Sequence, residues 1–280
     1  MVLNRRFDLI KISKNLNIFA SKNVQNLFSD DGKSKNSDNI LTEYDTIKYK
    51  NLLDQITSAQ NYDLDYFINH HYDKRQKILT IIDTKIKLMS PKKYFWKTAK
   101  KIQKEFKKLK VEHFYEIGFG SAMYANAIFR MRGFRNIEYF GYEISRNAIR
   151  IAELLTKDKK NFKFDHIENF EILAEKRNTS VVFSVFSIMF DDNKEIIDKI
   201  IANRPKYMVL IEPVFESVEV ETLYDLLKKQ YASKCKYTLD TLEYLRKLES
   251  KRLLRIVSIK KDVFGNNIFL PATCIICKIE

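Results

Sequence analysis

Two glycines near the middle of the chain, Gly118 and Gly120, restrict what it can fold into more than any other feature. The apolar run from Val111 to Ile117 stops at them, and Ala122, Ala125, Ile128 and Phe129 then recur at helical spacing as far as Gly133. The pattern reads as a strand, a tight turn and a helix, with Gly133 as the C-terminal cap. Glycine allows the sharp turn, and its missing Cβ lets a ligand lie against the main chain. Ser121 is expected to open the helix, whose first N–H groups have no intrahelical partner and face whatever occupies the turn. A flat or anionic ligand suits such a place.

Two common uses of a glycine turn do not match. A dinucleotide site wants Gly-x-Gly-x-x-Gly, and the third position is Met123. A phosphate-cradling loop ends in Gly-Lys-Ser/Thr, and that ending is absent. Glu116 stands two positions before the first glycine. Acidic-x-Gly-x-Gly at the end of a strand resembles the first motif of class I S-adenosylmethionine-dependent methyltransferases, in which the loop wraps the aminoacyl end of the cofactor. The third glycine of that turn is Ala122 here, a change that still allows a close helix.

The following segments extend the resemblance. Ile137 to Glu143 reads as a second strand ending in an acid, and Ser145 then starts a helix with Ala148, Ile149, Ala152 and Leu155 on one face. A carboxylate at that tip is placed to accept both ribose hydroxyls, so Glu143 is the expected ribose ligand. It also suits the positive end of the Ser145 helix, and the two roles are compatible. Phe162 to His166 is a short third strand, and the resemblance carries the adenine-binding role to Asp165, with Ile144, His166, Ser121 and Ser184 completing the implied cofactor set. Ser180 to Ser187 and Tyr207 to Pro213 are continuous apolar or β-branched runs, as in strands buried on both faces of a parallel sheet. Leu253 to Ile259 and Ala272 to Ile279 follow, with Gly265-Asn266-Asn267 between them, so the sheet ends as a strand pair. An antiparallel last strand is a further family mark.

The resemblance covers roughly residues 95 to 280 and implies an α/β fold: a Rossmann-like, mostly parallel sheet with helices on both faces. The implied cofactor is S-adenosylmethionine, with S-adenosylhomocysteine as product. The chain has 280 residues, 45% of them hydrophobic, more than one sheet domain needs. Residues 1–90 are expected to be an α-helical extension with a mobile linker near 29–39, and 91–280 the cofactor-binding domain. Within the extension, Ile40 to Met89 reads as mostly helical, with Leu79, Ile82 and Ile86 among the apolar positions. No run of 18 apolar residues exists, and Lys11, Lys14 and Asn17 interrupt any leader-like segment, so the chain is expected to be cytoplasmic. Three cysteines without a matching ligand pair predict no metal site; Cys274 and Cys277 read as small buried residues on opposite faces of the last strand.

Pro91 starts the last helix before the sheet. Phe95, Ala99, Ile102, Phe106 and Leu109 form its apolar stripe, and Lys97, Lys100, Lys101, Lys104, Lys107, Lys108 and Lys110 crowd the rest, opposed by Glu105. With a net charge of +14, this leaves two readings open: a solvated helix face, or a surface for an anionic substrate or RNA. Tyr94 and Trp96 are expected in the core, although closure over the cofactor would suit them too.

Methyl transfer needs alignment, exclusion of water and, for a hydroxyl or ammonium acceptor, a group to take the proton. Candidate bases are His70 and His71 in the extension, Asp191 and Asp192 after the fourth strand, and Glu212 at the tip of the fifth. No Asp/Asn-Pro-Pro-aromatic tetrad, Pro-Cys pair or Cys-x3-Cys-x2-Cys cluster is present, which disfavours base amines, pyrimidine carbons and radical chemistry. A small-molecule or glycan hydroxyl or amine is the favoured acceptor, by analogy with enzymes that build a pocket from a helical cap. Two competing readings stay open: methylation of RNA or protein, and a non-catalytic methyltransferase-like subunit that binds a partner.

Overall fold

Alternation decides which side of a strand meets which helix, and here nearly every central strand residue is apolar, so both sides must be covered. The computed structural model describes residues 49–58, 77–83, 85–131, 134, 137–188, 193–215, 228, 232, 240–265 and 270–280. In chain order the elements are α1 (Lys50–Ser58), β1 (Ile78–Ile82), β2 (Lys85–Met89), α2 (Pro91–Phe106), β3 (His113–Ile117), α3 (Met123–Arg130), β4 (Glu138–Glu143) and α4 (Arg146–Leu155). They continue with β5 (Phe162–His166), β6 (Ser180–Val185), α5 (Asn193–Ala202), β7 (Tyr207–Pro213), α6 (Thr241–Ser250), β8 (Leu254–Gly265) and β9 (Pro271–Ile279).

Among the described residues the strands form one sheet in the order β2-β1-β8-β9-β7-β6-β3-β4-β5. From β5 to β7 all pairings are parallel. β9 then inserts antiparallel between β7 and β8. The chain leaves β3 towards β4 and β5, then returns to the other side of β3 as β6 and β7. The strand order therefore reverses between β3 and β6, and the crevice beyond their carboxyl ends is where such sheets bind ligands.

Phe114 and Phe183 project to one face, beneath Phe95, Ile102 and Phe106 of α2, Phe129 of α3 and Ile151 of α4. Tyr115 and Val182 project to the other, against Ile197 and Ile200 of α5 and Leu245 and Leu248 of α6. Phe106 lies 4.7 Å from Phe183 and 5.3 Å from Phe114, so the α2 stripe anchors in the sheet centre. Burying one such ring contributes about 2 to 3 kcal/mol. Ser90 caps α2, its side chain accepting from the Lys93 N–H, and Pro91 takes the first turn, where a missing N–H costs nothing. Cys274 packs into the first core and Cys277 into the second, on opposite faces as expected. Burial raises both thiols to about 12.

Two expectations need correction. Residues 78–89, read as helical, are instead a hairpin in which Ile82 pairs with Lys85 across a two-residue turn, with Asp83 at φ 52°. Ile82 also pairs with Phe264, so the hairpin extends the sheet beyond β8. A short apolar run is compatible with either period, and the open edge of β8 decided for strand. The second correction is the end of α3, which stops at Arg130 with an extended Met131, before Gly133. Gly133 lies outside the described residues, as does the 29–39 linker.

Candidate functional site

β3 delivers its C-terminal end into the crevice, and the turn that follows is built from left-handed backbone. Gly118 has φ 68° and Gly120 φ 58°. Ala122 also sits at φ 52°, a conformation that costs a residue with a Cβ about 1 kcal/mol. The Gly118 N–H donates to the Tyr142 carbonyl at 2.7 Å, pinning the turn to β4. A Cβ at Gly118 would collide with the Ser187 side chain, and one at Gly120 would stand 2.9 Å from the Tyr49 hydroxyl oxygen. Gly118 is therefore required twice over, by φ and by Ser187, whereas Gly120 is required by φ and touches only the movable end of Tyr49. Phe119 between them packs on Phe164 at 5.0 Å and lies over Gly141, where a Cβ would come within 2.6 Å of its ring.

The tip of β4 closes the other side. Glu143 is 7% exposed. One carboxylate oxygen accepts the Gly120 N–H at 2.8 Å; the other accepts the N–H groups of Ile144 at 2.8 Å and Ser145 at 3.3 Å. The same side chain thus holds the two residues that lead into α4, where Ser145 is the cap, and ties the glycine turn to the strand tip. Beside it Ile144 stays 47% exposed, an apolar surface next to a carboxylate. Asp165, exposed at the end of β5, accepts from the His166 N–H at 2.7 Å and the Asn169 side-chain amide at 2.9 Å. His166 Nε2 lies 3.1 Å from the Ile144 carbonyl, joining the ends of β4 and β5.

Beneath this rim are two buried carboxyls. Glu116, 2% exposed, accepts from the Tyr139 hydroxyl at 2.6 Å. Burial raises its pKa to about 8; the Tyr139 bond opposes the shift, and the Glu143 charge adds to it. Glu212, 1% exposed at the end of β7, accepts from the Ser184 hydroxyl, the Ser187 N–H at 3.1 Å and the Ile188 N–H at 3.4 Å, all through one oxygen. Its second oxygen has no partner among the described residues, and burial raises this carboxyl to about 7. Ser187 in turn donates to the Gly118 carbonyl. A continuous chain of hydrogen bonds therefore runs from Glu212 through the segment after β6 to the glycine turn.

No family model and no curated protein matches the chain by sequence. Among solved structures it is similar to magnesium protoporphyrin IX methyltransferase from Synechocystis PCC 6803 with bound SAH, at a TM-score of 0.54 and 9% identity, over 87% of this chain and 100% of that one. The same protein with bound SAM gives 0.51 at 7% identity, over 86% and 95%. The fold is that of the class I methyltransferases. A SAM-dependent methyltransferase from Aquifex aeolicus is also similar, at a TM-score of 0.48 and 13% identity over 68% of this chain and 94% of that one.

Within this methyltransferase fold the expected cofactor residues divide into two layers. Gly118, Gly120, Ser121, Glu143, Ile144, Asp165 and His166 lie around the turn and the tips of β4 and β5. Glu116 and Ser184 do not: both are buried below it, Glu116 on Tyr139 and Ser184 on Glu212. Ser121 does not cap the helix either; Ala122 takes that position without any side-chain bond. Of the candidate bases, His70, His71, Asp191 and Asp192 lie outside the described residues, and Glu212 is buried. Tyr94 is in the core as expected, whereas Trp96 is half-buried and lines a groove. Sequence reading missed Tyr49, Ser187 and Phe119, each brought to a glycine by the fold. The glycines themselves were the available signal, because a position that excludes a Cβ implies a neighbour as well as a turn.

Proposed function

We propose that the chain is an S-adenosylmethionine-dependent methyltransferase acting on an oxygen or nitrogen nucleophile. The observation that carries this reading is Glu143, whose carboxylate stands at the tip of β4 and holds the Gly120 N–H of the glycine turn. Each carboxylate oxygen can accept more than one hydrogen bond, and a ribose needs such an acceptor beside such a turn. The donor set fits the rest of the group: Asp165 and exposed Ile144 suit a polar edge and a flat face of adenine, and the left-handed turn suits the aminoacyl end. When bound, the cofactor supplies an electrophilic methyl. Gly118, Gly120 and Ser121 would hold it; Glu116 and Glu212 would act by fixing the turn, through Tyr139 and through Ser187 respectively.

The sequence favours a small molecule or glycan as acceptor, on the strength of a helical cap. The hairpin at 78–89 removes part of that support, because it extends the sheet. α1 still adjoins the site, with Tyr49 just before it reaching Gly120. A lysine-lined groove on α2 favours RNA as the acceptor over a protein.

Calorimetric titration with S-adenosylhomocysteine tests the reading, with NAD as the control ligand. Micromolar binding of S-adenosylhomocysteine alone, weakened by about 1 to 3 kcal/mol in Glu143→Ala, is expected from the hydroxyls left unpaired. Binding of neither ligand, or of NAD in its place, refutes it.

A further inference from the structure

The N-terminal end of α2 carries four lysines and the only tryptophan of the chain around one groove. Ser90, Lys92, Lys93, Trp96, Lys97 and Lys100 line an open groove of about 370 Å3. Positions 92, 93, 96, 97 and 100 cover one side of the helix, flanking the stripe of Phe95, Ala99 and Ile102 that is buried in the core. Lys93, Lys97 and Lys100 have no acidic partner among the described residues, whereas Lys101 pairs with Asp83 and, just past the helix, Lys108 pairs with Glu105 at 2.7 Å. Lys104 and Lys107 likewise have no acidic partner among the described residues, so positive charge runs along the whole helix, and at the N-terminal end the groove gathers it beside an aromatic ring. There the helix dipole adds to it.

The aromatic ring gives the groove a second chemistry. Trp96 is half-buried, packed against the first core and edge-on to Phe95 at a centroid distance of 5.6 Å, and the rest of the indole lines the groove. From Lys93 to Lys100 the helix rises about 10 Å, a row of charges that suits successive phosphates better than one small anion. The groove also lies at the crevice end of the helix. Phe106, at the far end of α2, packs near the start of β3, while Phe95 stacks at 5.4 Å on Tyr124 in the first turn of α3, just after the glycine turn.

We propose that this groove docks single-stranded nucleic acid, with phosphates on Lys93, Lys97 and Lys100 and a base stacked on Trp96. Basic grooves with an aromatic platform hold single strands through these two contributions, and stacking tolerates any base. An inorganic polyanion would use the lysines and leave the ring without a role; a lipid surface would take the ring at its headgroup level, so vesicles form a separate arm of the test. The docking stands independently of methyl transfer; that the docked strand carries the methyl acceptor rests on the methyltransferase reading.

Trp96 is its own reporter, since no other tryptophan contributes fluorescence. The full chain is titrated with a short polyuridine strand, with its deoxy counterpart, with inorganic polyphosphate and with phosphatidylserine vesicles. Saturable quenching by the nucleic-acid strands is expected, weakening with salt at a log–log slope of about −2 for three lysine contacts. The triple variant K93Q/K97Q/K100Q should lose at least about tenfold in affinity and most of that slope. Trp96→Phe, followed by anisotropy of a labelled strand, should keep more of the affinity than Trp96→Ala, which should lose about tenfold. Tighter binding of polyuridine than of its deoxy form identifies RNA; equal binding leaves the shared chemistry in place. Absent quenching, affinity unchanged in the triple variant, or equal binding of polyphosphate or vesicles overturns the proposal. Calorimetry with S-adenosylhomocysteine on the same variants should be unchanged, which separates failure here from failure of the cofactor reading.

Discussion

Glu116 gives a pH dependence whose sign is opposite to that of an ordinary salt-bridged carboxylate. Its pKa rises from 4.5 to about 8, chiefly through burial. The folded state therefore holds a proton that the unfolded chain releases between these values, and stability falls as pH rises across that window. The contribution is fully present below about pH 4.5 and is lost as pH passes through about 8. At 1.36 kcal/mol per unit the shift corresponds to on the order of 5 kcal/mol. Glu212, raised from 4.5 to about 7 by burial, acts in the same direction with on the order of 3 kcal/mol. Domains are stable by only about 5 to 15 kcal/mol, so the combined effect is large. Urea unfolding between about pH 5 and 9 should show a midpoint that falls steadily with pH at a constant m-value. Glu116→Gln keeps an acceptor for the Tyr139 hydroxyl and removes the titration, so it should flatten the profile and gain most at the alkaline end. A wild-type midpoint that is level or rises across the window, or an unchanged slope in Glu116→Gln, would refute the reasoning.

Two further outcomes follow from the turn. Gly118→Ala sets a Cβ against Ser187 at φ 68°, so it should cost about 2 kcal/mol or more in stability and abolish S-adenosylhomocysteine binding by calorimetry. Gly120→Ala meets the Tyr49 hydroxyl oxygen at 2.9 Å, and Tyr49→Phe removes that atom. A double-mutant cycle in urea should therefore give a favourable coupling of about 1 kcal/mol, and a coupling near zero would place Tyr49 away from the turn.

The local signals were readable because they rest on residues close together in the chain. The glycine turn, the acid at the tip of β4, the Ser145 cap and the apolar runs of β6 and β7 are decided by backbone freedom and by period. The α2 stripe was equally legible, since a sixteen-residue amphipathic helix repeats its signal several times. The 78–89 hairpin was not, because two segments of five residues each are too short to separate the two periods until the edge of β8 accepts one of them.

What the chain by itself determined was the succession of strands, helices and turns, and the chemistry available at each tip. Only tertiary structure decided which carboxyls reach the crevice. Glu116 and Glu143 both lie near the carboxyl ends of their strands, yet Glu116 turns inward to Tyr139 while Glu143 meets the N–H groups of Gly120 and Ile144. Tyr49 and Ser187 reach the glycines from elements 71 and 69 residues away along the chain. Side-chain identity sets the possible bonds, but long-range packing chooses among them, because a buried polar group must take whichever partner the neighbouring elements bring within reach.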